Sequence, residues 1–284
     1  MTQFFDFAGR SLDLASPHVM GVLNVTPDSF SDGGELLVGN SQNVSLSKAL
    51  ARAESMLAAG AAFIDVGGES TRPGANPVSA QEEMDRVLPV VEVIHHNLDI
   101  IISVDTSRPE LIRECANYGV GLINDVRALN VEGALLAAVE SNIPVCLMHM
   151  QGQPDTMQNA PVYSGLLEEV SNFLAKRVAC CEAIGLSRDK ILLDPGFGFG
   201  KTLGHNLELL HRLGDLQSLE LPLLIGLSRK RMLGALTGKE EKDRMAGGLA
   251  AAVIAVMNGA NVIRTHDVSE TVDAMKICRA VFDA

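Results

Sequence analysis

The sequence contains no tryptophan and only two tyrosines, so aromatic residues make up just 4% of its 284 residues. Positive charge is also scarce, because 23 Lys and Arg residues face 35 Asp and Glu residues, which gives a formal net charge of −12. This balance argues against nonspecific binding to nucleic acid or to an anionic membrane, since phosphate contacts need clustered Lys and Arg. It does not exclude a small anionic substrate, which needs only a local basic pocket.

The sequence lacks a hydrophobic segment long enough to cross a bilayer. Its longest apolar stretch, residues 246–257, falls short of the roughly 20 residues that a membrane helix needs. The N-terminal segment has no basic region and contains Asp6 where a signal peptide needs apolar residues. We therefore expect no membrane partner and a cytoplasmic location.

Cysteine is equally sparse and shows no metal-binding or redox pattern. The five cysteines are odd in number, and no two are spaced as CxxC. A disulfide framework or a structural metal site is not expected from this pattern. The pattern instead predicts reduced thiols, in agreement with a cytoplasmic protein.

What the sequence does contain is a series of eight short apolar runs. They occupy residues 19–25, 61–67, 100–105, 120–126, 144–150, 190–196, 221–228 and 260–267. Each run stays nearly continuously apolar until its last residues, which is typical of parallel strands covered on both faces. Stretches with helical spacing lie between the runs, so strand and helix alternate eight times along the chain.

This alternation predicts an α/β fold, the (β/α)₈ TIM barrel, which runs to about 250 residues as one domain. An open doubly wound parallel sheet is the second possibility, but it fits the count of eight runs less well. No linker divides the chain, so residues 1–284 are expected to form a single domain. Residues 1–14 precede the first strand and are predicted to form a short hairpin at the N-terminal end of the barrel.

Polar residues stand at the C-terminal end of every predicted strand, where barrels of this kind carry their active sites. They are Asn24, Asp65, Asp105, Asn124, Asp125, His149, Asp194, Lys230, Arg264 and His266. A single Asp or Asn after a strand has a simpler interpretation as a helix cap or Asx-turn. That interpretation is at least as good as a ligand role for Asp65 and Asp125. Lys230 and Arg264 cannot cap a helix N-terminus, so the convergence of these residues predicts a binding site.

Three loops after the strands also attract attention. Residues 26–34 and 67–75 are rich in Gly, Ser, Thr and Pro, and their length over a barrel mouth favours binding loops. Residues 195–202 read PGFGFGKT, which is close to the phosphate loop G-x-x-x-x-G-K-[ST]. Pro195 replaces the first glycine and has no N–H for a phosphate, so this match to a nucleotide site is weak.

Eight segments resemble the successive motifs of one enzyme family. They are NVTPDSFSDGG, IDVGGESTRPGA, ISVDTSRPE, INDV, CLMHMQG, LLDPGFGFGK, GLSRKRMLG and IRTHDV. In this order they span residues 20–267 and are similar to the motifs of the dihydropteroate synthase family. The resemblance implies a pterin-binding (β/α)₈ barrel, usually a homodimer, that acts in folate biosynthesis with Mg²⁺. The implied reaction joins 4-aminobenzoate to (7,8-dihydropterin-6-yl)methyl diphosphate, and sulfonamides are the expected mimics of the aminobenzoate.

The resemblance also implies how the pterin is held. A dihydropterin has a donor-rich edge like that of a guanidine, and a carboxylate is its natural partner. The family pattern assigns this role to Asp194, with Asp105 and Asn124 on other ring nitrogens. It assigns Lys230 to the carbonyl side of the ring and includes Met148 among the substrate-binding residues.

The remaining implied roles concern the diphosphate and the second substrate. Asn24 is expected to bind Mg²⁺, while Arg264 and His266 are expected at the diphosphate. Thr71 and Arg72 would close over the reacting centre. The residues implied in catalysis are Asp105, Lys230, Arg264, His266 and Arg72.

The aminobenzoate is expected near residues 228–231, with Phe199 against its ring. Family members carry either Ser or Arg at the position of Arg231. The partner of the aminobenzoate carboxylate therefore stays open between Arg231, Ser228 and the backbone.

Two other functions are compatible with a pterin-binding barrel. A methyltetrahydrofolate:corrinoid methyltransferase would share the pterin floor of Asp105, Asn124 and Asp194. A catalytically silent pterin-binding subunit would be marked by loss of Asn24 or of a loop motif. The residues for the diphosphate favour the synthase over both.

Overall fold

The computed structural model describes residues 4–26, 45–70, 78–152 and 161–284 of the chain. Within these ranges strands and helices alternate. The strands are β1 (Phe4–Phe7), β2 (Arg10–Asp13), β3 (His18–Asn24), β4 (Phe63–Gly67), β5 (Ile101–Asp105), β6 (Leu122–Asp125), β7 (Val145–Met148), β8 (Ile191–Asp194), β9 (Leu224–Gly226) and β10 (Val262–Thr265). The helices are α1 (Leu46–Ala58), α2 (Ala80–Asn97), α3 (Pro109–Cys115), α4 (Ala134–Ser141), α5 (Leu166–Ala183), α6 (Leu203–His211), α7 (Arg231–Thr237), α8 (Met245–Met257) and α9 (Val268–Phe282).

Strands β3 to β10 form one eight-stranded sheet in which the neighbouring strands are parallel. The last strand, β10, pairs with the first, β3, and also with β9. A parallel bridge between Leu193 and Leu223 joins β8 to the chain just before β9. The Leu193 N–H donates to the Pro222 carbonyl at 2.9 Å beside this bridge. The sheet thus closes on itself, which confirms the predicted (β/α)₈ barrel and makes the open doubly wound sheet wrong.

The predicted N-terminal hairpin is confirmed as well. β1 and β2 pair antiparallel, and Ala8 and Gly9 turn the chain between them with positive φ angles of 54° and 84°. Phe7 is fully buried, and its ring meets that of Phe63 edge to face at 5.0 Å between centroids. The hairpin therefore closes the N-terminal end of the barrel with aromatic side chains.

Side chains alternate between two apolar layers along each strand. Those that point into the barrel at its N-terminal end form one cluster with the hairpin: Phe5, Phe7, Leu14, Met20, Phe63, Ile101, Leu122, Cys146, Leu192, Leu224 and Val262. The intervening residues, such as Ile64 and Val66, pack outward against the helices. Burial on both faces explains why the strands read as continuous apolar runs. No helix in the described ranges is long and apolar enough to span a membrane.

We predict that Phe7→Ala destabilises the barrel by about 3–5 kcal/mol, because it removes a buried ring and leaves a cavity at the closed end. Urea unfolding measures this change in the free energy of unfolding. Phe4→Ala in the same strand is the control, since Phe4 is 62% exposed, and it should stay within about 0.5 kcal/mol of the parent. Equal losses for the two variants would contradict the role of the hairpin as a plug.

Candidate active site

A cavity of about 690 Å³ opens at the C-terminal ends of the barrel strands. The residues to which the family resemblance assigns a role, as far as the structure describes them, line it: Asn24, Asp105, Asn124, Met148, Asp194, Phe199, Lys230, Arg264 and His266. Of the other polar residues at the strand ends, Asp65, Asp125 and His149 do not line this cavity. Thr71 and Arg72 lie outside the described residues, as does most of the loop 26–34. The strand ends therefore bring residues from distant parts of the sequence to a single mouth.

The two-residue repeat of the strands explains this convergence. Phe63, Ile101 and Leu122 point into the N-terminal end of the barrel. Successive side chains of a strand alternate between its faces, so the residues two further on also point inward. In β4 and β6 these residues are Asp65 and Asn124, both buried. The inner face of the barrel thus changes from apolar at the plug to polar at the mouth.

Asp65 is the centre of the buried hydrogen-bond network at this mouth. Its carboxylate accepts hydrogen bonds from the Ser103 hydroxyl at 2.5 Å and from the Asn124 amide at 3.1 Å. The Arg264 Nε donates to the same carboxylate at 2.6 Å. Asp65 is fully buried and bonds to side chains of three other strands rather than to a helix N-terminus. It therefore orients Asn124 and Arg264, and its interpretation as a helix cap is wrong.

Asp125 follows Asn124 in β6, so its side chain points to the opposite face of the strand. It has the simpler role of a turn-forming residue. Its carboxylate accepts the backbone N–H groups of Arg127 at 2.8 Å and Leu129 at 2.7 Å, together with the Ser107 hydroxyl. These bonds stabilise the turn that follows the strand. The interpretation of Asp125 as a turn-forming residue is confirmed.

Arg264 also reaches Asp105, with its Nη2 at 3.3 Å from Asp105 Oδ2. Burial and the neighbouring Asp65 carboxylate raise the pKa of Asp105 to about 8, although Arg264 acts to lower it. A guanidinium between two acidic groups can hold both of them close together without leaving either unpaired. Arg264 is thereby fixed across the mouth.

Asp194 lies on the opposite side of the mouth, at the end of β8. One of its carboxylate oxygens accepts the Gly196 N–H at 2.6 Å. Burial raises the pKa of Asp194, while Lys230, the Gly196 N–H and Lys201 act to lower it. A buried carboxylate with cations on two sides is suited to accept N–H bonds from a planar ligand.

Lys230 stands beside Asp194 in the turn before α7. Its ammonium donates to the Phe197 carbonyl and lies 4.8 Å from the centre of the Phe199 ring. Burial lowers the pKa of Lys230 to about 8, while Asp194 acts to raise it. Lys230 therefore connects the carboxylate of Asp194 to an aromatic surface that could hold a second ring.

The loop of residues 195–202 does not present its lysine as a phosphate loop would. Lys201 is buried, and its ammonium donates to the Gly196 carbonyl at 2.9 Å and to the Phe199 carbonyl at 3.2 Å. It also meets His149 Nδ1 at 2.9 Å. The similarity to a nucleotide-binding loop therefore does not extend to the position of its lysine.

The rim of the mouth next to β9 and β10 carries basic groups. His266 Nδ1 lies 3.1 Å from the Ser228 hydroxyl, which fixes the ring against the following turn. Arg229 is held by an ion pair with Asp267 at 2.6 Å. Arg231 is exposed at the first position of α7 and lines the cavity. Of these rim groups, His266 and Arg231 are thus placed to meet an anion.

The sequence reasoning missed an acidic and basic network behind the mouth. Arg108 lies 3.6 Å from Glu83 and 4.0 Å from Glu69, and Arg127 lies 3.3 Å from Glu69. Glu83 is fully buried on α2 in line with the apolar residues Val87 and Ile94. An acidic residue on the apolar face of an amphipathic helix is the signal that could have revealed it.

A metal ion at this mouth would depend on few protein ligands. No cluster of three or more His, Cys, Asp or Glu side chains suited to a metal occurs in the described ranges. A side chain at Gly67 would meet Asn24 Oδ1 at 3.4 Å and Asp105 Oδ2 at 4.0 Å. The glycine therefore leaves open a space that two side-chain oxygens border. Such oxygens suit Mg²⁺, which usually keeps several waters and takes phosphate oxygens.

Comparison with known proteins gives consistent similarities. Residues 20–266 match the family model of pterin binding enzymes. The chain is 55% identical over 276 residues to the dihydropteroate synthase of Escherichia coli strain K12, covering 97% of this chain and 95% of that protein. Identity to the Haemophilus influenzae dihydropteroate synthase is 48%, covering 97% and 98% of the two chains.

Solved structures give the same result. A crystal structure of Yersinia pestis dihydropteroate synthase with a sulfonamide drug complex superposes with a TM-score of 0.94 at 52% identity, covering 99% of this chain and all of that one. The Xanthomonas albilineans dihydropteroate synthase with 4-aminobenzoic acid superposes with a TM-score of 0.91 at 44% identity, covering 100% of both chains.

The buried Glu83 leads to a prediction about pH. Burial raises its pKa to about 7, although the Thr106 hydroxyl and Arg108 act to lower it. Because the folded state then binds a proton more tightly than the unfolded state, this group makes stability fall as pH rises from about 5 to 8. Glu83→Gln removes the effect. Relative to the parent, the variant should gain roughly 2–3 kcal/mol in unfolding free energy between pH 5 and pH 8.

Urea unfolding of both proteins at the two pH values measures this gain. Glu92→Gln, an exposed residue of the same helix, is the control and should show no such trend. A difference between Glu83→Gln and the parent that is independent of pH would contradict the prediction.

Proposed function

Because the chain belongs to the dihydropteroate synthase family of pterin-binding enzymes, we propose that its cavity joins the two substrates of that family. A dihydropterin-methyl diphosphate and 4-aminobenzoate would give 7,8-dihydropteroate and diphosphate, a transferase step of folate biosynthesis. The observation that carries this proposal is the cavity itself, in which Asp194, Asn124 and Lys230 face a rim containing Arg264 and His266. A pterin floor and an anion-binding rim then belong to one site.

The flat pterin ring is expected to lie on the polar inner face of the barrel. Asp194 would accept two parallel N–H bonds from the amino edge of the ring, because its carboxylate lies next to cations that favour ionisation. Lys230 would meet the carbonyl side. Asn124 would bond another ring nitrogen, in the orientation that its hydrogen bond to Asp65 fixes.

The reaction breaks the bond between the pterin methylene and the diphosphate oxygen, and the electron pair leaves with the diphosphate. Arg264 and His266 would bind the leaving group, while the positive charge remains on the pterin methylene. A developing cation lowers the pKa of a nearby acid. The ionised form of Asp105 is therefore favoured as the cation forms, and its carboxylate would stabilise that cation.

The amine of 4-aminobenzoate then forms the new C–N bond with its lone pair and releases a proton to solvent. No strong base is needed, because an arylamine is neutral and nucleophilic near pH 7. The Phe199 ring next to Lys230 offers a surface for the aminobenzoate ring. Its carboxylate would bind Ser228, Arg231 or a backbone group at the rim.

Mg²⁺ is part of the proposal. Asn24 would hold the ion through its side-chain oxygen, in the space above Gly67 that Asp105 also borders. The ion would supply neutralisation of the negative charge on the diphosphate.

No observation favours the alternative functions. A methyl transfer to a corrinoid would leave the basic rim without a purpose, yet Arg264 and His266 both line the cavity. A silent pterin-binding subunit would be expected to have lost the Asn24 position, which is present beside Gly67.

We also propose that the protein is a homodimer. Supporting this, large apolar side chains are exposed on α7 and α8: Leu236, Met245, Ile254 and Met257. Helix α8 is apolar nearly all round, which is typical of a helix that is covered on more than one side. A second copy of the chain is the expected cover.

A cytoplasmic location is proposed on the state of the cysteines. All five thiols are free, and all but Cys180 are buried. Burial raises the pKa of the Cys181 thiol to about 11, so it is unreactive at neutral pH. Free thiols of this kind are typical of a reducing compartment.

The experiment that tests the reaction follows diphosphate release from dihydropterin-methyl diphosphate, 4-aminobenzoate and Mg²⁺. We expect release far above the uncatalysed rate, and its absence in folded protein would refute the proposed function.

The Asn24→Ala variant should require a much higher Mg²⁺ concentration for activity, while its affinity for the pterin changes less than threefold. Asn117→Ala, on the surface beside Glu114, serves as the control. Equal losses of pterin affinity and Mg²⁺ response would refute the role of Asn24.

Asp194→Ala should weaken pterin binding by about 10- to 100-fold, because the ring donors lose a charged acceptor worth roughly 1–3 kcal/mol. Isothermal titration with a hydroxymethylpterin measures the dissociation constant without turnover. Asp189→Ala, in the exposed turn before the same strand, should bind like the parent. Unchanged affinity in Asp194→Ala would show that the pterin edge binds elsewhere.

A further inference from the structure

Lys201 is a buried cation that the proposed reaction does not use. Only 3% of its surface is exposed. Its ammonium meets three acceptors, the carbonyls of Gly196 and Phe199 and the Nδ1 of His149, at 2.9, 3.2 and 2.9 Å. An ammonium has three protons, so each has a partner as long as His149 is neutral at Nδ1. The charged form of Lys201 is therefore fully hydrogen-bonded in this pocket.

The loop that Lys201 holds carries much of the pterin and aminobenzoate site. Gly196 donates its N–H to Asp194 at 2.6 Å, and the Phe197 carbonyl accepts from Lys230. The Phe199 ring lies under the Lys230 ammonium. Residues 195–200 thus set the positions of three groups at the mouth, and Lys201, which also borders the cavity, holds this segment in place.

The packing of this loop leaves little room for adjustment. Gly196 has a φ of +72°, and a side chain there would lie 1.8 Å from the His149 carbonyl oxygen. The His149 ring packs edge to face against Phe173 at 5.0 Å. The loop after β7 and the loop after β8 are therefore in direct contact, with Lys201 and His149 joining them.

We propose that Lys201 is a positioning residue of the pterin site, whose ammonium ties residues 195–200 to His149 and helps to keep the Asp194 carboxylate ionised. This inference rests on the proposed function, because it takes Asp194 as the partner of the pterin. It assigns Lys201 no contact with substrate. Its effect reaches the pterin through the loop and through the charge of Asp194.

The charges around Lys201 make its contribution to pterin binding depend on pH. Burial lowers the pKa of Lys201 to about 7, Asp194 acts to raise it, and Lys230 acts to lower it. Burial, together with Lys201, lowers the pKa of His149 to about 3, so His149 stays neutral as an acceptor. Lys201 therefore loses its charge within the range in which the protein can be studied. Below pH 7 it assists Asp194, and above pH 8 its assistance is largely gone.

The test compares the affinity of the parent and of Lys201→Met for hydroxymethylpterin between pH 6 and pH 8.5. We expect the dissociation constant of the variant to be about tenfold higher at pH 6 and less than threefold higher at pH 8.5. The ratio of the two constants cancels the titration of the free ligand. A purely structural loss would give a ratio that does not change with pH.

Lys190→Met is the matched control, because it removes a lysine that also holds a loop. Lys190 donates to the Asn142 carbonyl at 2.8 Å, next to the start of β8 and far from the mouth. Its ratio to the parent should stay near one at every pH. Circular dichroism and cooperative urea unfolding establish that each variant is folded before binding is measured.

His149→Phe supplies a second variant, which keeps an aromatic ring against Phe173 but removes the acceptor. The pKa of Lys201 should then fall, so this variant should bind pterin more weakly than the parent at pH 6.5 and equally at pH 8.5. If Lys201→Met does not fold, the His149→Phe variant alone tests the inference. Where both fold, the double variant should bind no more weakly than Lys201→Met alone, because His149 acts through Lys201.

A ratio for Lys201→Met that is below twofold at pH 6, or constant with pH, would overturn the inference. Independent, additive effects of the two substitutions would overturn the link to His149. If the parent itself does not bind hydroxymethylpterin at any pH, the proposed function fails instead. The two failures are therefore distinguishable in a single titration series.

Discussion

The arrangement of the mouth depends on the ion pair between Arg264 and Asp65. Arg264 lies on the last strand, and its Nε meets the Asp65 carboxylate on β4 at 2.6 Å, across the intervening strand β3. The same carboxylate holds Asn124 and Ser103, and the same guanidinium reaches Asp105. Buried pairs of this kind contribute little net stability, but the loss of one partner is costly. The pair therefore acts mainly to orient the residues around it.

A second group of charges lies across the mouth and has the opposite composition. Here one carboxylate, Asp194, is accompanied by Lys230 and Lys201. Burial disfavours the charged form of all three groups. The Asp194 carboxylate favours the charged form of each lysine, and each lysine favours the charged form of Asp194. The site thus stabilises buried ionised groups by placing them next to one another. An overall charge of −12 is compatible with anionic substrates for this reason.

The fold was predictable from the sequence because its signal is repeated. Eight apolar runs separated by helical stretches allow few arrangements, and each run coincides with one barrel strand to within a few residues. The residues at the strand ends were predictable too, since parallel strands bring their C-terminal ends to one edge. Asp65 and Asp125 show the limit. Both lie near the end of an apolar run, but only the Asp65 side chain points into the barrel. This direction depends on which residues of each strand face the N-terminal hairpin.

By itself the sequence determined the barrel, the mouth and the family, because hydrophobic periodicity and motif order are properties of local segments. Only the tertiary structure decided the partner of each polar group. Lys201 follows a glycine-rich loop that resembles a phosphate cradle, yet its ammonium bonds to His149, which is 52 residues away. Glu83 likewise has a partner distant in sequence, Arg108, which lies directly before helix α3. Partners so distant in sequence are chosen by packing around the closed barrel, and burial then sets their charge.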